Sequence, residues 1–386
     1  MVITDVEAIP VEIGLKPLEE DHGLAPYIMG RLEYLESARR VIVKLTTSEG
    51  ITGWGETAVV HSPSITKSII ETVVADIVVG EPVWKFETLH EYYGSHYIDS
   101  SVFLSGVEMA MWDAFGKHND CPLHQLLGGK QTNRVDFSYC YAINTIEKST
   151  ERMRDVRDAG FDVVKTKVGG YGADTAPDDF AYERSIDSDV ERLIAMYDAV
   201  DGEVELRADA NQSWTVSDTT RIAARLEDAG VYLGYIEQPI RTDNVGSYKR
   251  LRQRLRTPIA VNEDLYHPGN FYELVREDAI DVGVIDMIPV GGIVPMKKMA
   301  SLAEEADVSL AHHCGFDLGV KTAAMLHAIS TTPAIDLHSD TTYYALEDHI
   351  IEDPFEFEDG SLSVPSAPGL GVTIDEEKLD TIRTDE

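Results

Sequence analysis

The sequence predicts an α/β protein: a closed parallel (β/α)8-type barrel, TIM-like but modified, that follows an α+β N-terminal capping domain. From residue 135 onward, short apolar segments alternate eight times with helical segments, most of them amphipathic. This is the pattern of a parallel barrel. Before that point, strand-like stretches precede three helical ones. An open doubly wound sheet is the alternative, but no Gly-x-Gly-x-x-Gly motif follows the first strand of the alternating region.

Residues 1–133 form the predicted capping domain. Apolar and polar residues alternate in 2–13, and a strand-like run followed by a turn covers 40–47. The segment 19–35 between them is polar and contains two glycines and a proline. Irregular loops of this length are often functional lids. Helical patterns cover residues 65–79, 82–94 and 101–119.

The barrel is predicted over residues 134–349, with its active-site groups at the C-terminal ends of the strands. The predicted strand cores are 135–141, 162–168, 203–209, 232–237, 258–262, 281–286, 308–313 and 334–338. Residues 350–386 contain turn-forming residues between short apolar stretches. We expect this C-terminal segment to form short strands and to return to the capping domain.

The charge is extreme for a chain of 386 residues: 33 basic and 68 acidic residues give a formal net charge of −35. Such a charge excludes nucleic acid and anionic membrane surfaces as partners. Because the acidic residues are spread over the whole chain, we interpret them as the solvated shell of a halophilic protein, whose self-repulsion is screened by salt. An acidic mesophilic enzyme is the alternative.

The sequence also indicates the compartment. Three cysteines are too few for a disulfide framework and fit a reducing environment. No early apolar run resembles a signal peptide, and no stretch approaches about 18 uninterrupted apolar residues. We therefore expect a soluble, cytoplasmic protein with no membrane partner.

Two lysines stand at alternate positions of the second predicted strand, so Lys165 and Lys167 point to the same face. Two ammonium groups this close repel each other, and each lowers the pKa of the other. A neutral lysine near pH 7 is a competent general base. An exposed pair on an edge strand is the alternative, since buried lysine is rare, but the other motifs of the chain argue against it.

Acidic residues end three successive predicted strands. Asp209, Glu237 and Glu263 are 28 and 26 residues apart, one strand–helix repeat each, so they should converge at one rim of the barrel. Uncompensated carboxylates would raise each other's pKa there. A hard divalent cation removes this repulsion, and an all-oxygen site favours Mg²⁺ over zinc. A helix cap or a surface charge explains any one of them alone, but not three in consecutive repeats.

The sixth and seventh predicted strands end in Asp286 and His313, 27 residues apart. On adjacent strands these side chains can form a hydrogen bond, and a carboxylate fixes the tautomer of an imidazole and raises its basicity. We expect the neighbouring His312 to face the helix layer, although a β-bulge would exchange the two histidines.

Three further residues are expected to contact a substrate: Asn211 after the third strand, Tyr27 in the lid, and His338 on the eighth strand. A structural role is the alternative for His338. Lys167 and His313 should lie on opposite sides of the barrel mouth, with the metal between them. This arrangement suits removal of a proton α to a carboxylate, because the metal neutralises the enediolate and a base faces either side.

Together these motifs resemble the mandelate racemase subgroup of the enolase superfamily, which is the mandelate racemase/muconate lactonizing enzyme family. The enolase superfamily uses Lys or His bases with Mg²⁺. The resemblance covers nearly the whole chain. In the barrel it rests on Val164-Lys-Thr-Lys167, Asp209-Ala-Asn-Gln-Ser-Trp214, Ile236-Glu-Gln-Pro239, Asn262-Glu263 and Asp286 followed by Gly291-Gly292. Elsewhere it rests on Gly53-Trp-Gly-Glu56, Glu108-Met-Ala-Met-Trp-Asp113, Leu126-Leu-Gly-Gly129 and the tail 352–371.

The resemblance implies a role for each candidate residue: Mg²⁺ ligation by Asp209, Glu237 and Glu263, a base formed by Lys167 beside Lys165, and a second acid or base formed by Asp286 with His313. The muconate-cycloisomerase subgroup is disfavoured, because it places a lysine where Asp286 stands. The chain departs from mandelate racemase at the eighth strand, where His338 replaces a glutamate, and in the segment 169–185, which is longer.

The function implied is Mg²⁺-dependent dehydration of a sugar acid or related hydroxy acid through an enediolate. A racemase or epimerase of a carboxylic acid is the alternative, since it uses the same residues. A non-catalytic scaffold with the same fold is the third possibility, but a scaffold needs neither two base systems nor a full ligand set. The expected partners are a small carboxylate substrate and further copies of the chain in a homo-oligomer.

Overall fold

The computed structural model describes residues 1–29, 33–96, 101–169 and 185–384. In these residues a three-stranded antiparallel sheet with helices is followed by a nearly closed barrel of eight parallel strands wrapped by helices. The predicted fold class is confirmed. Part of the predicted lid, residues 30–32, and nearly all of the long segment 169–185 lie outside the described residues.

The strands are β1 (Ile3–Gly14), β2 (Tyr27–Met29), β3 (Glu33–Leu35), β4 (Ser37–Thr47), β5 (Thr52–Ala58), β6 (Arg134–Tyr141), β7 (Val163–Lys167), β8 (Glu205–Asp209), β9 (Ile236–Glu237), β10 (Ile259–Val261), β11 (Val282–Ile285), β12 (Ser309–His312), β13 (Ser339–Thr341) and β14 (Ser361–Ser363). The α-helices are α1 (Pro63–Ile69), α2 (Ala75–Val78), α3 (Phe86–His96), α4 (Val102–His118), α5 (Leu123–Leu126), α6 (Ile146–Asp158), α7 (Ile186–Asp198), α8 (Val216–Asp228), α9 (Val245–Arg252), α10 (Pro268–Arg276), α11 (Met287–Val290), α12 (Ile293–Glu305), α13 (Val320–Ser330) and α14 (Glu376–Thr381). A π-helical turn, Ile70–Val74, links α1 to α2, and 3₁₀ turns occupy Glu263–Tyr266 and Tyr343–Ala345.

The N-terminal sheet has the order β1-β4-β5, and α4 packs directly on β5. A Cβ atom on Gly55 would lie 1.8 Å from the carbonyl oxygen of Gly106, and one on Gly53 would lie 2.0 Å from that of Ala110. Only glycine allows the two backbones to approach so closely. The glycines of the Gly-Trp-Gly-Glu motif therefore seat α4, and Glu56 follows them on the same strand.

The barrel strands follow one another in the order β6 to β12, and β13 lies beside β6. Seven predicted strand cores overlap an observed strand, but the eighth prediction, 334–338, is wrong because β13 begins only at Ser339. Residues 334–338 instead close the ring against β12. Leu310 N–H donates to the Ala334 carbonyl at 3.2 Å, and Leu337 N–H donates to the Leu310 carbonyl at 3.1 Å.

Three buried carboxylates of the N-terminal part bind backbone N–H groups, mainly across the boundary with the barrel. Glu56 accepts hydrogen bonds from Leu318 N and Lys321 N, both at 2.8 Å. Glu108 accepts from Ile293 N at 2.7 Å and Val294 N at 2.9 Å. Asp113 accepts from Trp54 N at 2.9 Å and Leu370 N at 2.8 Å. Glu56 and Glu108 thus satisfy the free N–H groups at the starts of α13 and α12, where a negative charge is also favourable.

The C-terminal segment lies against both parts of the chain. Strand β14 pairs antiparallel with β6, and Arg383 forms a bridge with Val11 of β1. The boundaries 1–133, 134–349 and 350–386 stay predictions. Within the described part of the chain, none of the helices combines the length and apolar character that crossing a bilayer requires.

Candidate active site

A cavity of about 860 Å³ opens at the C-terminal ends of the barrel strands and is closed on one side by the N-terminal residues. The barrel contributes polar side chains that include Lys165, Lys167, Asn211, Glu263, His313 and Asp340. The N-terminal part contributes a wall that includes Glu12, Tyr27, Ser37, Arg39 and Arg40. One layer below the strand ends, an apolar cluster of Tyr235, Ala260, Val282, Val284 and Ala311 fills the barrel interior.

Both lysines of β7 are buried among carboxylates. Lys165 Nζ donates to Glu237 Oε2 at 2.8 Å and also to Asp340, and Lys167 Nζ donates to Asp209 Oδ2 at 2.5 Å. Burial lowers the pKa of Lys167, but Asp209 and Glu237 outweigh both burial and the neighbouring Lys165, so the pKa is raised. Burial also lowers the pKa of Lys165, but Asp340 and Glu237 raise it well above its usual value. The expectation of lowered lysine pKa values is therefore wrong for this arrangement, because it counted the adjacent ammonium and not the carboxylates.

The three predicted metal ligands lie on or next to successive strands. The pKa of Asp209 is lowered, because Lys167 and Lys165 outweigh the effect of its burial. Burial and the charge of Asp209 raise the pKa of Glu237 to about 8, and they also raise that of Glu263. Glu237 Oε1 and Glu263 Oε2 are buried and have no hydrogen-bond partner among the described residues. Unpartnered buried carboxylate oxygens fit a bound cation.

A different set of side chains is close enough together to hold a metal, whereas the ligand atoms of Asp209, Glu237 and Glu263 do not all lie this near to one another. Among the described residues, the ligand atoms of Glu237, His313 and Asp340 all lie within 4.8 Å of one another. This set shares Glu237 with the predicted one. In it, Asp340 accepts hydrogen bonds from Lys165 and, at 2.8 Å, from Ser138.

His313 faces the cavity, with its Nδ1 atom 3.2 Å from Asp286 Oδ2. Burial raises the pKa of Asp286. Lys321 and the hydrogen bond with His313 lower it by more than burial raises it, so the pKa lies far below the usual range. His312 is fully buried, and its Nδ1 lies 2.8 Å from the carbonyl oxygen of His313. Burial lowers the pKa of His312 to about 4. The structure thus places His313, and not His312, at the cavity.

Family models match both parts of the chain. The model for the "Enolase C-terminal domain-like" family matches residues 148–378, and that for the "Mandelate racemase / muconate lactonizing enzyme, N-terminal domain" matches residues 13–128. The chain belongs to the mandelate racemase/muconate lactonizing enzyme family of the enolase superfamily. Members of this superfamily use a divalent metal, and the described residues offer groups that could hold one.

Three relatives with a named activity are similar in sequence to this chain over most of its length. An arabinonate dehydratase of Saccharolobus solfataricus is 29% identical over 350 residues, which are 86% of this chain and 88% of the relative. A D-xylonate dehydratase of Haloferax volcanii is 30% identical over 356 residues, 87% and 83% of the two chains. Muconate cycloisomerase 1-2 of Acinetobacter lwoffii is 28% identical over 361 residues, 89% and 88% of the two chains.

Among solved structures, an isomerase from Streptomyces coelicolor A3(2) has a TM-score of 0.83 and 28% identity, over 99% of this chain and 96% of its own. With the dehydratase and cycloisomerase relatives, it shows that this family member is an enzyme of the lyase or isomerase type. That part of the sequence-based prediction is confirmed.

Most of the predicted site residues meet at the cavity, but His338 does not. Tyr27, Asn211, Glu263, His313 and both lysines line it, while Asp209, Glu237 and Asp286 lie buried behind and bond to lining or adjacent groups. His338 lines a different cavity beside Arg134 and Asp336, near the N-terminal ends of the strands. Because β13 starts at Ser339, the eighth strand presents Asp340, two residues beyond His338, to the main cavity. The eighth strand therefore does offer a carboxylate to the cavity.

Sequence reasoning missed two charged residues, Asp340 and Lys321. Asp340 lies two residues after the predicted His338, and correct placement of the strand would have selected it. Lys321 is a lysine in the first turn of the otherwise mainly apolar helix α13. A cation is unfavourable at that end of a helix, and this misplacement was the available signal.

Proposed function

We propose that this enzyme is a Mg²⁺-dependent dehydratase of a sugar acid, of the aldonic acid class on which its dehydratase relatives act. One observation carries the proposal: two candidate bases, Lys167 and His313, line one cavity from widely separated strands. Four strands lie between β7 and β12 on one side of the ring, and two lie between them on the other. A substrate held in this cavity would present opposite faces of its α-carbon to the two groups.

The proposal assigns Mg²⁺ to Asp209, Glu237 and Glu263. The unpartnered oxygens of Glu237 and Glu263 support it, and an all-oxygen set suits Mg²⁺. The alternative group uses an imidazole nitrogen and Asp340, whose carboxylate Lys165 and Ser138 already engage. When bound, Mg²⁺ supplies positive charge that stabilises the substrate carboxylate during proton loss and offsets Asp209, the carboxylate that raises the pKa of Lys167.

The two bases would divide the reaction. Lys167, or His313 from the other face, removes the α-proton, and the C–H electrons form the α–β double bond. His313 directs Nδ1–H to Asp286 and keeps Nε2 for proton exchange with the substrate. In its protonated form it donates a proton as the β C–O bond breaks, so the hydroxyl leaves as water. The resulting enol tautomerises to a 2-keto acid. Positioned acid–base groups of this kind contribute roughly 10²- to 10⁴-fold each.

The cavity wall supports a polyhydroxylated substrate. Glu12, Ser37, Arg39 and Arg40 line the cavity, and Arg39 Nε lies 3.2 Å from Glu12 Oε2. A wall that hydrogen-bonds to substrate hydroxyls discriminates strongly against analogues that lack them, because its polar groups are then left unpaired. The side of Tyr27, which packs edge to face on Phe316 at 5.1 Å between ring centroids, is apolar and suits the carbon chain.

A racemase or epimerase is the second candidate, because the same pair of bases would exchange protons on both faces with no group leaving. A cycloisomerase is less favoured, since Asp286 follows the sixth barrel strand where the resemblance to that subgroup requires a lysine. We also infer a salt-adapted, cytoplasmic protein, on the charge of −35 and the sparse cysteines; the homo-oligomer stays a prediction.

The test is incubation of the enzyme and Mg²⁺ in D₂O with a panel of aldonic acids and simpler 2-hydroxy acids. Formation of a 2-keto acid, detected as its semicarbazone, is the expected result. Deuterium uptake without product would indicate epimerisation instead. The double variant Lys167→Ala/His313→Asn supplies the background. If no acid on the panel reacts above that background, the proposed function is wrong.

A further inference from the structure

Lys321 has an ammonium group that the reaction above does not use. Its side chain is completely buried in the first turn of α13, at the end of the helix dipole that repels a cation. Burying an ammonium is also costly unless it is paired. Its Nζ atom lies 3.0 Å from Asp286 Oδ2, 3.0 Å from Asp317 Oδ1 and 3.4 Å from the His313 carbonyl oxygen. The ammonium is therefore paired, but it lies at the unfavourable end of a helix and beside a candidate base, which suggests a functional reason.

Lys321 and His313 share one carboxylate oxygen. Asp286 Oδ2 lies 3.2 Å from His313 Nδ1 and 3.0 Å from Lys321 Nζ, while Asp286 Oδ1 also lies 3.0 Å from Lys321 Nζ and accepts from Ile288 N at 2.9 Å. Contacts from three directions fix the plane of the carboxylate, and that plane determines where the imidazole ring points. Without Lys321, the Asp286 carboxylate would retain only two of these contacts, with the backbone N–H of Ile288 and with the imidazole of His313.

The backbone of Lys321 is held in turn by the N-terminal part of the chain. Its N–H donates to Glu56 Oε2 at 2.8 Å, and Leu318 N–H donates to Glu56 Oε1 at 2.8 Å. Arg40 Nε lies 3.7 Å from Glu56 Oε1, and Arg40 Nη2 lies 3.9 Å from Asp317 Oδ1. A continuous set of contacts therefore runs from β4 and β5 through Lys321 to Asp286 and His313.

We propose that Lys321 is a positioning residue for the His313 base: it holds the Asp286 carboxylate in the orientation that aims the imidazole at the substrate, and Glu56 holds Lys321. This inference rests on the proposed function. It assigns the N-terminal domain a part in proton transfer on one face of the substrate. The Lys167 face lies outside this set of contacts, since Lys167 bonds to Asp209.

The test is α-proton exchange in D₂O, followed by NMR for each enantiomer of a bound hydroxy acid. Lys321→Met should lower exchange on the His313 face by about 10- to 100-fold, by analogy with the loss of an outer partner of a metal-ligating residue. Exchange on the Lys167 face should stay within about twofold. Lys117→Met is the matched control, because Lys117 pairs at 2.6 Å with the buried Asp113, an anchor of the C-terminal tail. It should change neither face.

If Lys321→Met does not fold, Lys321→Arg keeps the charge but moves the donors, and it should also impair the His313 face alone. Equal loss on both faces, or no loss on the His313 face, overturns the inference. If the wild type exchanges neither enantiomer, the proposed function fails instead. The ¹⁵N spectrum of His313, assigned with His313→Asn, then decides for Lys321: its tautomer signals should shift in Lys321→Met and not in Lys117→Met, and unchanged signals overturn the inference.

Discussion

The two sides of the cavity hold their candidate bases by different means. On one side, Lys167 is part of a barrel strand, and its partner Asp209 lies directly opposite on the neighbouring strand β8. On the other side, His313 follows the last residue of β12, and its partner Asp286 depends on Lys321 and, through Glu56, on the N-terminal sheet. One base is positioned by strand register, and the other by the assembly of two parts of the chain.

This difference predicts which substitutions should disturb each side of the cavity. Strand register is set by many backbone hydrogen bonds at once, so the Lys167 side should tolerate changes elsewhere in the molecule. The His313 side depends on a few buried charges, whose loss leaves other buried charges uncompensated. Changes in the N-terminal part should therefore affect His313 before Lys167.

The largest expected effect comes from removing one base. Lys167→Ala should reduce α-proton exchange for one enantiomer by about 10³-fold, within the usual range for a positioned acid–base group. Exchange for the other enantiomer should persist, and His313→Asn should give the mirror pattern. NMR in D₂O with each enantiomer measures both. Should each variant lose exchange for both enantiomers equally, the two bases do not face opposite sides.

The second prediction separates the two possible metal sites. Glu263→Gln should weaken Mg²⁺ binding by at least about 100-fold, since outer-shell changes alone cost 10- to 100-fold. Asp340→Asn should change it by less than about threefold. Isothermal titration calorimetry with Mg²⁺ measures binding without depending on activity. The reverse order of effects would assign the metal to Glu237, His313 and Asp340 instead.

The third prediction concerns the pH dependence of the free energy of unfolding, through Glu56, the carboxylate that holds Lys321 on the His313 side. Burial and Asp317 raise the pKa of Glu56 from 4.5 to about 7, although Arg40 lowers it. The native state therefore binds this proton more tightly than the unfolded state. The resulting stability is complete below about pH 4.5 and is lost as the pH rises to about 7, by at most about 3 kcal/mol.

Glu56→Gln removes this titration. The free energy of unfolding of the wild type, minus that of Glu56→Gln, should fall between pH 4.5 and 7, as urea titrations at a series of pH values would show. Glu87→Gln, at a surface carboxylate paired with Lys298, is the matched control. A difference that does not change with pH would mean that Glu56 does not titrate in this range.

The smallest expected effect is that of salt on the ratio of exchange rates between the Lys167 face and the His313 face. Molar KCl should raise the melting temperature by many degrees, because it screens repulsion among the surface charges behind the net −35. The ratio of exchange rates on the two faces should stay constant, since buried pairs are screened far less. Differential scanning calorimetry and exchange at 0.1 and 2 M KCl test both. A melting temperature independent of salt would contradict the halophilic interpretation.

The sequence predicted the barrel and the first side of the cavity well, for a physical reason. A strand places every second residue on one face, and barrel repeats bring the strand ends to one rim, so spacing alone located Lys167, Asp209 and Glu237. The failures arose where spacing carries less information. Residues 334–338 pair with β12 but not with β6, so their apolar pattern looked like a strand and displaced the prediction from Asp340 to His338.

The sequence could not predict Lys321 or the direction of the lysine pKa shifts. Lys321 contacts Asp286 from a helix, and Glu56 binds the backbone N–H of Lys321 from a sheet more than 200 residues earlier in the chain. Such contacts have no periodicity. The pKa of Lys167 depends on the balance of burial, Lys165 and two carboxylates, and the sign of such a balance needs distances that spacing does not supply.

The carboxylates that start α12 and α13 also bear on how this protein could be recombined with its relatives. Gly292 has a φ of +134°, and a Cβ atom there would lie 2.2 Å from Glu108 Oε2. Glu108 and Gly292 therefore have to occur together, although Glu108 lies in the N-terminal half of the chain and Gly292 in the barrel. A chimaera that joins this barrel to a foreign N-terminal half needs a glutamate at both positions, 56 and 108, or two helices of the barrel begin with buried N–H groups unbonded. Exchange of whole halves between relatives is thus restricted to donors that already carry both.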